Sequence, residues 1–146
     1  METERMIVEY IDALSESMRE SMRSYRNQPE YRELFCLSIT QLHYLHAVKK
    51  LSGITLTELS AYFKVKKPTV TNVVNRLVRQ GYIEKKQSAK DLRVYHLSLT
   101  ARGMALLDLE KEGYYAFARQ MTDVISEQEK EDFTKTLAKI FQCLQQ

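Results

Sequence analysis

Lys66-Lys67-Pro68-Thr69-Val70-Thr71-Asn72-Val73-Val74-Asn75-Arg76-Leu77-Val78-Arg79-Gln80-Gly81 is the stretch from which the rest of the chain can be read. Pro68 is tolerated in a first helical turn, where its missing amide hydrogen would have no partner anyway, and Gly81 is a natural stop, so a helix from Pro68 to Gln80 is expected. With Thr69 as zero, Val70, Val73, Val74, Leu77 and Val78 fall between roughly 40° and 180° around that helix, at the usual helical period. Thr71, Asn75, Arg79, Asn72 and Arg76 fall between roughly 200° and 340°. One half is suited to a core, and the other offers hydroxyl, amide and guanidinium groups.

Upstream, Thr55-Leu56-Thr57-Glu58 fits a capping box that opens a short helix with Leu56, Leu59 and Phe63 inward, ending near Lys64-Val65. A tight turn must join it to the helix at Pro68. Before it, Ser38-Ile39-Thr40-Gln41 fits a second capping box, with Leu37 and Leu42 placed as a hydrophobic staple, for a helix to about Leu51 that stops at Gly53. Downstream the period changes to two: Tyr95, Leu97 and Leu99 alternate with Val94, His96 and Ser98, and Tyr82 to Gln87 can pair with them around a Ser88 to Leu92 tip. At the chain ends, Ile7, Ile11, Leu14, Met18, Met22 and Tyr25 stripe a first helix, with Pro29 just beyond it. From Thr100 the chain returns to helix with Met104 and Leu107, and Ser126-Glu127-Gln128-Glu129 caps a last helix carrying Phe133, Leu137, Ile140, Phe141 and Leu144.

Two short helices joined by a tight turn and followed by a hairpin are the element order of a winged helix-turn-helix, in a chain that is otherwise mainly α. Charge is concentrated in the same region. Nine basic residues and two acidic ones lie between Lys64 and Arg93, a segment of +7, while the chain as a whole is only +3 and its remainder therefore −4. Such a cationic face on a weakly acidic body suits a polyanion. On the polar half of the helix, Asn can bond adenine through two atoms, Arg can do the same to guanine, and the Thr methyl can contact thymine. Lys66 and Lys67 stand at the helix start, where phosphates are readily held. An ordinary amphipathic surface helix is the competing reading, and the flanking turn and basic hairpin weigh against it.

The chain here resembles the MarR family of transcriptional regulators. The resemblance runs from Ser38 to Gly103 through Ile39-Thr40-Gln41, Leu56-Thr57-Glu58-Leu59-Ser60, Pro68-Thr69-Val70-Thr71, Arg76-Leu77, Gly81-Tyr82-Ile83, Asp91-Leu92-Arg93 and Leu99-Thr100-Ala101-Arg102-Gly103. It implies one MarR-like domain over 1–146, with dimerisation helices at about 1–35 and 101–146 and a DNA-binding lobe at about 38–100. It also implies a homodimer on double-stranded DNA, with a recognition helix in each of two major grooves and each wing over a minor groove. The residues it matches to DNA contact are Thr69, Thr71, Asn72, Asn75 and Arg76 on the reading face and Arg93 at the wing, where Asp91 braces a nearby arginine; Lys66 and Lys67 at the helix start and Lys90 in the wing tip complete the expected DNA-binding set. Lys66 departs from the family in standing where a Ser cap is frequent. Family analogy further suggests repression relieved by a small ligand, with Tyr10, Phe35, His43 and Tyr44 as candidates to line its cleft.

Other readings find less support. Glu2, Glu4, Arg5 and Glu9 interrupt the N-terminus, so neither a signal peptide nor a membrane span is expected and a cytoplasmic protein is. Cys36 and Cys143 match no metal or redox spacing and read as buried reduced thiols, with oxidant sensing through Cys36 as an alternative. His43 and His46 share a helix side with Lys50, but no third ligand suggests itself, so no metal and no cofactor is expected. Neither a phosphate loop nor a nucleophile elbow occurs, which argues against an enzyme. The remaining rival is a winged helix used as a protein-interaction module.

Overall fold

The computed structural model describes residues 1–145. Its elements are α1 (Glu2–Ser24), α2 (Arg32–Cys36), α3 (Ile39–Lys50), α4 (Leu56–Phe63), α5 (Lys67–Arg79), β1 (Ile83–Gln87), β2 (Tyr95–Leu99), α6 (Ala101–Thr122) and α7 (Glu127–Leu144). They form two compact units, one of Tyr25–Lys111 and one of Met1–Ser24 with the described residues from Glu112 onward. The boundaries read from the sequence, near 35 and 101, both fall inside the first of these.

In the Tyr25–Lys111 unit, Leu45, Leu59, Val70, Val74, Leu77 and Leu97 are fully buried, joined by Val48, Ile83 and Leu107. These residues come from α3, α4, α5, both strands and the start of α6, so one small core sets the position of the helix pair against the hairpin. Both expected capping boxes form. Ser38 Oγ accepts from the Gln41 amide at 3.1 Å and the Gln41 side chain accepts from the Ser38 amide at 2.9 Å. Thr55 and Glu58 do the same at 3.2 and 2.9 Å. Each cap satisfies helix-end amides that would otherwise depend on water, worth about 1 kcal/mol.

α5 ends as its sequence suggests. Gly81 has a φ of +79°, its amide donates to the Val78 carbonyl, and the Tyr82 amide donates to the Leu77 carbonyl. This is a Schellman motif, which needs a left-handed residue where only glycine is free of Cβ strain. The chain then enters β1, which pairs antiparallel with β2 in the register Ile83 with Leu99, Lys85 with Leu97 and Gln87 with Tyr95.

β2 has a second neighbour that the sequence does not reveal. The Leu97 amide donates to the Ile54 carbonyl at 2.9 Å, and the Gly53 amide to the Leu97 carbonyl at 3.0 Å. A single bridged residue has no periodicity to detect. It nevertheless ties the α3–α4 link to the hairpin and leaves β2 paired on both edges.

Between α1 and α3 the structure departs from expectation. α1 stops at Ser24, and Tyr25 instead begins a 3₁₀ turn in which its ring packs on Tyr31 at 4.7 Å between centroids. The one-turn α2 is too short to show a helical period in the sequence. Leu34 and Leu37 take its inward positions, which turns Cys36 outward; the reading of Cys36 as a buried thiol is thus corrected. Cys143 is likewise exposed, because α7 buries none of its residues in this chain.

In the other unit, α1 also buries no residue. Ile7, Tyr10, Ile11 and Leu14 of α1 and Phe133, Leu137, Ile140 and Phe141 of α7 are all exposed. α7 opens on the expected Ser126–Glu129 box. No described helix is long and apolar enough to cross a membrane.

Candidate nucleic-acid interface

The turn that presents α5 is closed by backbone geometry. Lys64 adopts the left-handed conformation, with φ +54°, and its amide donates to the Ala61 carbonyl; the Val65 amide donates to Ser60, whose hydroxyl returns a bond to the Val65 carbonyl at 2.5 Å. Lys66 takes the N-cap position in an extended conformation with no side-chain cap bond, so its ammonium stays free while Pro68 occupies the first turn. The turn thus loses a cap and keeps a cation.

α5 divides as its angular pattern requires. Val70, Val74 and Leu77, the middle of the apolar arc, are fully buried, while Val73 and Val78 at its edges are half-buried. Opposite them Thr69, Asn72, Arg76 and Arg79 are exposed, and Thr71 and Asn75 are half-buried. The Thr71 hydroxyl donates back to the Lys67 carbonyl at 2.9 Å. Asn72, Asn75, Arg76 and Arg79 also line a groove whose other wall is Ser38, Thr40 and Gln41 at the start of α3. Those α3 residues carry no charge or reactive group, and nothing in the sequence marks them as neighbours of α5.

Electrostatics separate this face from the rest of the chain. Among the described residues of the Tyr25–Lys111 unit, the lysine and arginine ion pairs join Arg102 to Glu33, Lys49 to Asp108 and, within the wing, Arg93 to Asp91; none of them involves a residue of α5. Lys64, Lys66, Lys67, Arg76, Arg79, Lys86 and Lys90 take part in none. A positive surface without internal partners keeps its field for an external anion.

The wing tip is a built turn. Ser88 Oγ accepts from the Lys90 and Asp91 amides at 3.2 and 3.4 Å, and the Gln87 side chain donates to the Leu92 carbonyl at 2.6 Å. Asp91 accepts from the Arg93 amide at 3.0 Å and from the Arg93 guanidinium at 3.2 Å. The Arg93 amide first, and its guanidinium second, hold the Asp91 carboxyl below the usual aspartate range. Arg93 still projects with 91% of its side chain exposed. Lys90 is exposed beside it.

The four cleft candidates have different local environments. Tyr44 lies in the core, its ring stacked 4.4 Å from Phe63, and burial pushes its phenol up. Phe35 is half-buried, His43 is exposed, and Tyr10 is exposed on α1 in the other unit. His46, the other histidine of α3, meets the buried Glu110 carboxylate of α6 at 2.7 Å. Among the described residues no three His, Cys, Asp or Glu side chains cluster as a metal site would require.

A sequence model of the MarR family matches residues 37–95. The transcriptional repressor YetL of Bacillus subtilis is 30% identical over 88 residues, which is 60% of this chain and 53% of YetL, so the match spans about half of that relative's length. FabT of Streptococcus pneumoniae, solved in complex with DNA, superposes with a TM-score of 0.70 at 29% identity, covering 97% of this chain and 96% of FabT. A MarR protein from Peptoclostridium difficile is 30% identical, with a TM-score of 0.58, 94% of this chain and 86% of that one being covered.

Proposed function

This chain belongs to the MarR family, and from that premise we propose that it is a cytoplasmic regulator of transcription that binds double-stranded DNA sequence-specifically as a homodimer. The observation that carries the reading is the outward arc of α5, where Thr69, Asn72 and Arg76 stand exposed between unpaired lysines and arginines. A helix of this width enters a major groove, and its amides and guanidinium groups match the donor and acceptor patterns of base edges. Lys66 and Lys67 fall at the groove edge for phosphates, and Lys90 and Arg93 extend the same charge along the wing.

The dimer rests on a separate argument. The exposed apolar residues of α1 and α7 form stripes too extensive for a soluble monomer, and a two-fold axis lets identical faces bury each other. Two recognition helices so related read a near-palindromic site. Repression, relieved by a small ligand, follows by family resemblance, as does the expectation that the chain is not an enzyme. No cofactor enters this scheme.

Selection from a random duplex library by the purified chain, followed by salt titration on the recovered motif, tests the reading. A motif with dyad symmetry is expected, with the logarithm of the binding constant falling linearly with log salt. Absence of any motif would leave the winged helix as a protein-interaction module.

A further inference from the structure

Lys85 of β1 donates to the side-chain oxygen of Asn75 on α5 at 2.5 Å. Both residues are half-buried, and Asn75 is one of the side chains lining the groove along the reading face. An ammonium only donates, so the amide oxygen is the atom that turns toward Lys85, and the two amide hydrogens turn elsewhere. The contact is charge-assisted and links two elements that share a core, so it holds the amide in one orientation.

We propose that Lys85 is a positioning residue that sets the base read by Asn75, making it guanine rather than adenine. The argument rests on the DNA-reading function proposed above. An unconstrained asparagine reads adenine by donating to N7 while its oxygen accepts from the N6 amino group. Here that oxygen is already engaged by a cation, and an approaching amino group would bring further positive hydrogens against the ammonium. One lone pair of that oxygen remains, but it lies in the field of the ammonium, so the amide hydrogens are the favoured contact that Asn75 presents. Guanine shows only acceptors, N7 and O6, on its major-groove edge and suits such a donor. Sequence reasoning assigned Asn the adenine role because residue type alone does not say which amide atom is presented.

Library selection at one fixed salt with the wild type, Asn75→Ala, Lys85→Met and Lys85→Arg tests this. The wild type is expected to show guanine at one position per half-site, and Asn75→Ala to lose the preference at that position only. Lys85→Met keeps the aliphatic stem and removes the donor; it should move that position toward adenine, changing the guanine-to-adenine ratio on the order of tenfold, the discrimination of one good base contact. Lys85→Arg should retain guanine. Adenine at the Asn75-dependent position in the wild type overturns the proposal without recourse to any variant. So does a Lys85→Met protein that binds every sequence more weakly with an unchanged motif, which would make Lys85 a phosphate contact. A wild type that recovers no motif fails the underlying DNA reading instead, a distinguishable result.

Discussion

Gly103 of α6 lies directly against the carbonyl of Tyr82, so close that a Cβ built on it would sit far inside van der Waals contact with that oxygen. The same few residues lock together around it. Thr100 Oγ accepts from the Gly103 amide at 3.0 Å and donates to the Gly81 carbonyl at 2.5 Å, while the Thr100 amide donates to the Tyr82 carbonyl at 3.1 Å. The Leu99-Thr100-Ala101-Arg102-Gly103 segment thus has a mechanical meaning: Thr100 caps α6 and pins the end of α5, and Gly103 lets α6 pass the α5–β1 turn.

Gly103→Ala is therefore expected to destabilise the protein by about 1–3 kcal/mol, the usual cost of overpacking where backbone rather than a flexible side chain must yield. Urea unfolding checks it. The midpoint should fall with an unchanged slope, and an unaltered midpoint would show that α6 can shift freely.

On the reading face, Asn72→Ala and Arg76→Ala should each cost about 1–3 kcal/mol on the best site and relax base preference there. Lys67→Ala should weaken all sequences alike and lower the salt slope by about one. Competition binding against single-base variants of the recovered site separates these patterns. Unchanged discrimination in the Asn72 and Arg76 variants would mean that α5 presents a different arc.

Arg93→Ala should lower affinity most on sites with A·T-rich flanks, because a narrow minor groove concentrates negative potential that draws in arginine. The Asp91 contact supplies the rival explanation, in which Arg93 only stiffens the wing. Affinities measured at fixed salt on sites differing only in their flanks decide the matter: an equal loss on both sinks the groove role.

The Asp91 brace carries its own pH signature. A carboxyl whose pKa is depressed in the folded protein contributes stability above its unfolded pKa and loses it as pH falls through the folded value. Arg93 depresses Asp91, so the brace should be intact at neutral pH and persist to below the ordinary aspartate pKa of about 3.9. The Arg93 amide resonance, followed by NMR, should titrate with a midpoint under that value. A midpoint at or above it would mean that the brace is not formed in solution.

Sedimentation equilibrium at micromolar concentration should give twice the chain mass. Ile11→Glu together with Leu137→Glu places charges in the exposed apolar stripes of α1 and α7 and should shift the protein toward monomer. A well-folded wild-type monomer would remove the basis for the two-fold arrangement.

Much of this was open to inspection in the sequence because it is local. The three capping boxes at Ser38, Thr55 and Ser126 involve partners three residues apart, the α5 pattern repeats within one helix, and the Gly81 stop depends on neighbouring carbonyls; chain connectivity alone brings such groups together. Charge density along 64–93 is likewise a property of order, not of packing. What required the tertiary structure lies between residues distant in sequence or in segments too short to show a period. The Ile54–Leu97 pairing, the outward turn of Cys36, the placement of Tyr44 against Phe63, and the engagement of His46 by Glu110 are of this kind. The Lys85–Asn75 bond is the most consequential. Residue type supplies an asparagine with both a donor and an acceptor, but only the approach of β1 to α5 decides which of the two it presents, since a hydrogen bond depends on angstrom-scale distance that no one-dimensional pattern records.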